Sequence, residues 1–303
     1  MSRTAALVAL HSAVALFGFA ALFGKWLALP PVEIVFGRAL VAAATLAIVL
    51  RLQHVSSTRP SIGLALNGGL LALHWVAFFA AVQLAGVAIA LLAFASFPVF
   101  VLAIESVEQR RAPQSAELIA IVLVVFGLAL LVPEFRWSSA VVQGHACGVV
   151  AGLTFAILTV RTRRRVALHG AVGLALWQNA FAALWLLPLV LIGLPSALRA
   201  TLQLDSLGGP AALLDATMIA PTAVDVALLA VLGVACTALS HTLFIASMHR
   251  VSAHTASVVS VLEPVYGIVL AILLLGERPD ARTLAGMLLI LAAALLATRH
   301  ANR

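Results

Sequence analysis

Charge is what this sequence has least of: Asp, Glu, Lys and Arg make up 10% of its 303 residues, against roughly a quarter in soluble domains. That scarcity excludes a water-soluble globular protein. Cysteine is almost missing as well, and Cys147 and Cys236 both lie inside apolar stretches, so no disulfide framework is implied and both read as small buried hydrophobes. The chain has neither the HExxH zinc helix nor the GxSxG nucleophile elbow. Its nearest approach to a phosphate loop, "GFAALFGKW" (18–26), has five residues between the glycines and no Ser or Thr after Lys25. Clustered carboxylates and His-Asp pairs are absent too, so we expect no enzyme, no catalytic residue, no metal and no cofactor. The short alternating segments of a spanning β-barrel are likewise missing.

What is present is apolar: 63% hydrophobic residues and a mean hydropathy of +1.15, gathered in blocks of 18 to 22. A helix rising 1.5 Å per residue needs that length to cross about 30 Å of hydrocarbon. We therefore expect an all-α integral membrane protein with ten transmembrane helices near 5–24, 33–50, 64–83, 86–106, 115–132, 142–160, 169–192, 224–246, 252–274 and 281–298. The first block shows no cleavage site behind a short apolar core and reads as a retained helix. One connection is long, about 195–223, with Gly and Pro punctuation and room for a short surface helix.

The net charge of +7 comes from basic residues spread between the blocks, which fits membrane orientation and not a nucleic-acid partner. With the N-terminus inside, Arg3, Arg51, Arg59, Arg110, Arg111, Arg161, Arg163, Arg164, Arg165, Arg250, Arg299 and Arg303 fall on the cytoplasmic side. Only Lys25, Arg136, Arg199, Arg278 and Arg282 fall outside. Twelve against five, with ten spans, places both termini in the cytoplasm. The "RTRRR" run (161–165) reads as an orientation anchor.

A shift of 166 residues lays "FPVFVLAI" (97–104) on "EPVYGIVL" (263–270), Pro98 on Pro264, Pro113 on Pro279 and Phe78 on Phe244. A shift of 136 lays "FAALFGKW" (19–26) on "FAILTVRT" (155–162). Each half then holds five spans, and an odd number makes the second half enter the membrane in the opposite sense. We expect two inverted five-helix repeats, 1–138 and 139–303, around a central cavity exposed alternately to the two faces.

The run "FGFAALFGKWLALPPVEIVFGRALVAA" (17–43) resembles the opening helix pair of the drug/metabolite transporter superfamily, EamA type. "LEPVYGIVLAILLLGERP" (262–279) is similar to that family's late motif, a Glu-Pro pair followed by Gly-Glu at the helix end. Two positions depart from the pattern: Phe17 stands where Trp is frequent, and Arg111 where the first half would match Glu277. The resemblance implies a ten-helix exporter of the bacterial inner membrane, with amino acids, including aromatic ones, as the suggested substrates. Its partners would be that small-molecule substrate, the lipid bilayer and protons, and the protein would act as a monomer or a homodimer.

Ionisable residues at membrane depth, about 3 kcal/mol each for Arg or Asp, normally face a cavity or a partner. Arg38 and Glu263 are plainly so placed. Arg38 could bind a substrate carboxylate through its planar fork, or tie its span to backbone carbonyls or a carboxylate elsewhere. Glu263 could couple transport to protons, receive a substrate amine, or hydrogen-bond amides freed where Pro264 interrupts its helix. Its first-half counterpart is Phe97, so the helix break belongs to both halves and the charge to one. His11, His74, His241 and His254 also fall within spans, and His74-Trp75 aligns with Ser240-His241. Each His could switch protonation or simply bond a neighbouring helix. Trp75, Phe78, Trp177, Asn179, Ser240, Ser257, Ser260 and Tyr266 complete the candidate lining, with Pro98 and Pro264 as kinks. Gly144, Gly148 and Gly152 recur at every fourth position and read as a helix-packing face. A channel would need a polar ring or repeated filter, which the unequal halves do not offer. One buried Arg fits a small zwitterion or a neutral amphipath better than a nucleotide sugar.

Overall fold

A computed structural model describes residues 1–54, 59–110, 112, 114–131, 136, 138–192 and 221–301. Arg111 and nearly all of the long 195–223 connection lie outside the described residues, as do the side chains of His254 and Ser257. The described residues form helices and no strand. In chain order these are α1 (Arg3–Ala20), α2 (Phe23–Trp26), α3 (Pro31–Leu52), α4 (Ile62–Ala85), α5 (Val87–Phe94), α6 (Phe97–Gln109) and α7 (Ser115–Leu130). The second half continues with α8 (Ala140–His169), α9 (Ala171–Ile192), α10 (Ala223–Gly233), a π-helical turn (Val234–Leu239), α11 (Ser240–Ser247), α12 (Ala253–Ser260), α13 (Glu263–Leu275) and α14 (Ala281–Ala301).

Joined where they run on, these helices give seven segments long and apolar enough to cross a membrane and three shorter apolar ones, 121–130, 262–275 and 281–293. All ten expected spans are accounted for, as two five-helix repeats. Helix starts follow local chemistry. Ser2 and Ser61 accept the amide hydrogens of Ala5 and Leu64, and Thr222 with Asp225 forms a reciprocal capping box at the start of α10. Asp280 receives the Thr283 amide at 2.8 Å ahead of α14, and hydrogen bonding from Thr283 holds its carboxyl below the ordinary Asp range.

The breaks at Pro98 and Pro264 are present in both halves. Each proline occupies the first turn of a new half-helix, α6 or α13, where its missing N–H is no loss. The correspondence continues to the far ends: α6 stops at Arg110 (φ 51°) and α13 at Gly276 (φ 68°), both left-handed and 166 residues apart. Glycine takes that conformation freely, whereas Arg110 holds it against a side-chain clash.

Close helix approach uses the small residues. A Cβ on Gly144, Gly148 or Gly152 would lie 2.6 Å from the Ala85 Cβ, 2.5 Å from the Ala93 Cβ and 2.9 Å from the Ser96 Oγ. That series therefore seats α8 against the end of α4 and the broken α5–α6 span. α1 packs on α11 and α13, α3 on α9 and α10, and α7 pairs with α14 at one edge.

The two halves are also joined at a helix terminus. Glu277 follows α13 and accepts the Val87 and Ala88 amide hydrogens through Oε1 (3.0 Å) and Oε2 (3.3 Å). Its carboxylate thus caps α5 at the positive end of that helix, just after Gly86. Replacing Glu277 with Ala is expected to remove about 1–2 kcal/mol of stability. In detergent this would be read as a lower unfolding temperature, with E277Q intermediate because an amide oxygen still accepts one bond.

Candidate functional site

A narrow cavity, with about 30 Å³ open to water-sized molecules, lies where the two repeats meet. α1 contributes Phe17 and Ala20, α3 contributes Arg38, and α4 contributes Leu71, His74, Trp75 and Phe78. Phe94 of α5, Phe155 of α8, His241 of α11 and Glu263 of α13 close it. Six expected residues are thereby brought together: Arg38, His74, Trp75, Phe78, His241 and Glu263.

Arg38 is held on three sides. Its Nε donates to Thr237 Oγ1 at 2.9 Å and its Nη2 to the Cys236 carbonyl at 3.2 Å. The guanidinium lies 4.1 Å from the Trp75 ring centroid and 5.3 Å from that of Phe79, a cation–π arrangement on the cavity wall. Thr237 in turn donates to the Leu232 carbonyl at 2.7 Å. Both partners of Arg38 belong to the π-helical turn, a local irregularity frequent at functional sites. The alternative in which Arg38 ties its span to a backbone carbonyl is thus realised in geometry, and among the described residues its other N–H groups have no hydrogen-bond partner.

Glu263 is 4% exposed, and among the described residues its carboxylate has no hydrogen-bond partner. It therefore makes no bond to the amides freed by Pro264. Its counterpart Phe97 is fully buried and stacked on Phe94 at 5.7 Å. Among the described residues no ion pair joins Glu263 to Arg38, so one cation and one carboxylate face the same space separately.

The aromatic wall is continuous. Phe155 stacks on His74 at 4.6 Å and meets Phe244 at 5.4 Å, while Phe17 packs edge-on against Phe155 and Phe244. His74 Nδ1 lies 2.9 Å from the Ala151 carbonyl, and His241 Nδ1 lies 3.4 Å from Asn179 Nδ2.

Other expected positions lie away from the cavity. Trp177 is half-buried against Phe181, and Tyr266 is 36% exposed, with its Cβ beside Gly18 of α1. Asn179 sits one layer behind His241. The Ser240 hydroxyl returns to the Thr237 carbonyl of the adjoining π-helical turn and that of Ser260 to the Ala256 carbonyl of its own helix. Pro98 shapes its helix without lining the space, and His11 is exposed. Residues that the sequence did not single out as lining are Phe17, Ala20, Leu71, Phe94 and Phe155, with Thr237 and Cys236 behind Arg38.

A model of the EamA-like transporter family matches residues 4–132 and 142–299. The chain belongs to that family. Its two matched segments are the two five-helix halves, so this EamA-like protein is a multi-pass membrane transporter. No curated protein matches the chain in sequence. Among 29 matching chains of solved structures, one crystal structure of a protein aligns over 100% of both chains with a TM-score of 0.71 and 19% identity. At that identity the likeness shows a shared fold.

Proposed function

We propose that this EamA-like transporter exports small zwitterionic metabolites, amino acids foremost, across the bacterial inner membrane, with both termini in the cytoplasm. The observation that carries the reading is the pairing of Arg38 and Glu263 in one aromatic-walled cavity, neither neutralised by the other. A guanidinium suits a substrate carboxylate, a carboxylate suits an ammonium, and aromatic faces suit the apolar remainder. The repeats 1–138 and 139–303 rock about this site in alternating access. The protein acts as a monomer or a homodimer. Other metabolites or drugs come second. A nucleotide-sugar carrier comes last, because a diphosphate calls for more than one buried Arg.

Reconstituted protein in liposomes, offered amino acids, nucleotide sugars and cationic drugs with and without a pH gradient, tests the proposal. Amino-acid flux above that of empty liposomes is expected, and flux of the other classes alone would sink it. Glu263→Gln is expected to fold as the parent protein does, to lower amino-acid flux about tenfold through loss of one charged contact, and to abolish any dependence on the pH gradient. A stable variant with unchanged transport would remove Glu263 from the mechanism.

A further inference from the structure

The hydrogen bonds behind the cavity fix how its two histidines are protonated. A carbonyl oxygen can only accept, so His74 Nδ1, 2.9 Å from the Ala151 carbonyl, carries the hydrogen. In a neutral ring Nε2 is then a bare acceptor.

For His241 the reasoning passes through Asn179. The Asn179 amide nitrogen donates to the Ala175 carbonyl at 2.8 Å, which fixes the amide orientation, since the reverse would set two oxygens face to face. The same nitrogen directs its other hydrogen at His241 Nδ1, 3.4 Å away, so Nδ1 accepts and Nε2 carries the proton. Among the described residues no carboxylate bonds either ring, and an imidazolium would add a second cation near Arg38, whose guanidinium lies on the same Trp75 ring that His241 meets at 5.9 Å. Both histidines are therefore neutral, and they show opposite polarity on their Nε2 atoms. Neither Nε2 has a partner among the described residues, and neither is among the sealed polar atoms, so each is open to the cavity its ring lines.

The surroundings separate the two tasks. His241 and Arg38 share Trp75 and form a donor pole. His74 is embedded among Phe78, Phe94 and Phe155, in the apolar part of the wall.

We propose that His74 and His241 are the specificity-determining pair of the cavity: His241 joins Arg38 in donating to the substrate carboxylate, while His74 accepts one N–H or O–H from an aromatic side group. The substrate class is an amino acid whose aromatic ring bears a hydrogen-bond donor, a phenol or an indole. The inference rests on the zwitterion reading above and adds selection at the side group. A buried acceptor left unmatched is penalised, so tyrosine should be carried at least about tenfold more efficiently than phenylalanine.

The test is paired. Competing tyrosine and phenylalanine fluxes in proteoliposomes should give that ratio in the parent protein and a ratio near 1 in His74→Phe, whatever the absolute rates. His74→Gln, which can return an acceptor near the Nε2 position, should recover part of it. His241→Leu should raise KM for both substrates alike and leave the ratio in place, with His241→Gln closer to the parent. Nitrogen-15 spectra of histidine-labelled protein, assigned by loss of each signal in the variants, should show Nδ1–H for His74 and Nε2–H for His241. Amino-acid transport with a parent ratio near 1, or the same tautomer at both positions, overturns this inference alone. Absence of all amino-acid transport overturns the proposed substrate and this inference with it.

Discussion

Exchanging Arg38 for Lys is expected to lower transport of carboxylate-bearing substrates about thirtyfold while the positive charge stays in place. The guanidinium satisfies Thr237 Oγ1 and the Cys236 carbonyl at once, lies flat over Trp75, and still has N–H groups for the cavity. An ammonium on a flexible stem cannot reproduce that fork. A hydrogen bond to a charged group contributes roughly 1.5–3 kcal/mol, and losing about 2 kcal/mol corresponds to the stated factor. The loss should appear mainly in KM, with the variant eluting as a folded species. Thr237→Val should show a milder form of the same change, because it frees Nε and leaves the Cys236 contact, and Thr237→Ser should restore transport. Equal transport by the Lys variant would show that Arg38 serves only to join α3 to the π-helical turn.

The second large effect concerns assembly. Gly18 of α1 touches α13 backbone to backbone: a Cβ there would lie 2.9 Å from both the Glu263 carbonyl oxygen and the Gly267 nitrogen. Gly267 answers from the other side, where a Cβ would lie 3.1 Å from the Gly18 carbonyl oxygen and 2.3 Å from Leu91. No side chain at the Gly18 contact can rotate away, so the helices themselves must separate. Gly18→Leu is expected to destabilise by about 3 kcal/mol, at the upper end for overpacking, and to displace Glu263 from the cavity. Thermal unfolding in detergent and the yield of monodisperse protein would check this. A Gly18→Leu protein with parental stability would contradict the contact. Gly170→Leu is a useful contrast, because nothing lies within 4 Å of its Cβ and only its left-handed backbone resists.

Much of this fold could be read from the chain because its spans are long, apolar and punctuated. The breaks before Pro98 and Pro264 announce themselves, since proline cannot continue a helix interior. The π-helical turn does not: "VACTAL" (234–239) holds neither proline nor glycine, and the turn lies against α3, a contact between distant parts of the chain. Arg38 and Glu263 were legible through the expense of charge in hydrocarbon. Aromatic and hydroxyl residues were not, because lipid is as apolar as a protein core and the pattern along a membrane helix does not reveal which side faces inward. Tyr266 and Trp177 therefore read as lining residues but are not among those that line the cavity, while Phe94 and Phe155, indistinguishable in sequence from lipid-facing phenylalanines, form its wall. His74 and His241 were recognisable as polar groups near a shared space, but their hydrogen positions depend on Ala151 and Asn179, which lie in other helices.

The replacement of Glu263 by Phe97 in the other repeat has a consequence for direction. Two inverted halves with identical chemistry could trade conformations and arrive at mirror states of equal energy, leaving a carrier with no favoured orientation. Here the half-helix that begins with Phe97 is anchored by stacking on Phe94, whereas the one that begins with Glu263 carries a carboxylate without a hydrogen-bond partner among the described residues. Trading the roles of the halves would have to move a charge into one environment and a phenyl ring into the other. If the halves alternate as proposed, the two facings differ in energy before any substrate arrives, and the exchange of Phe97 for Glu263 contributes to that difference.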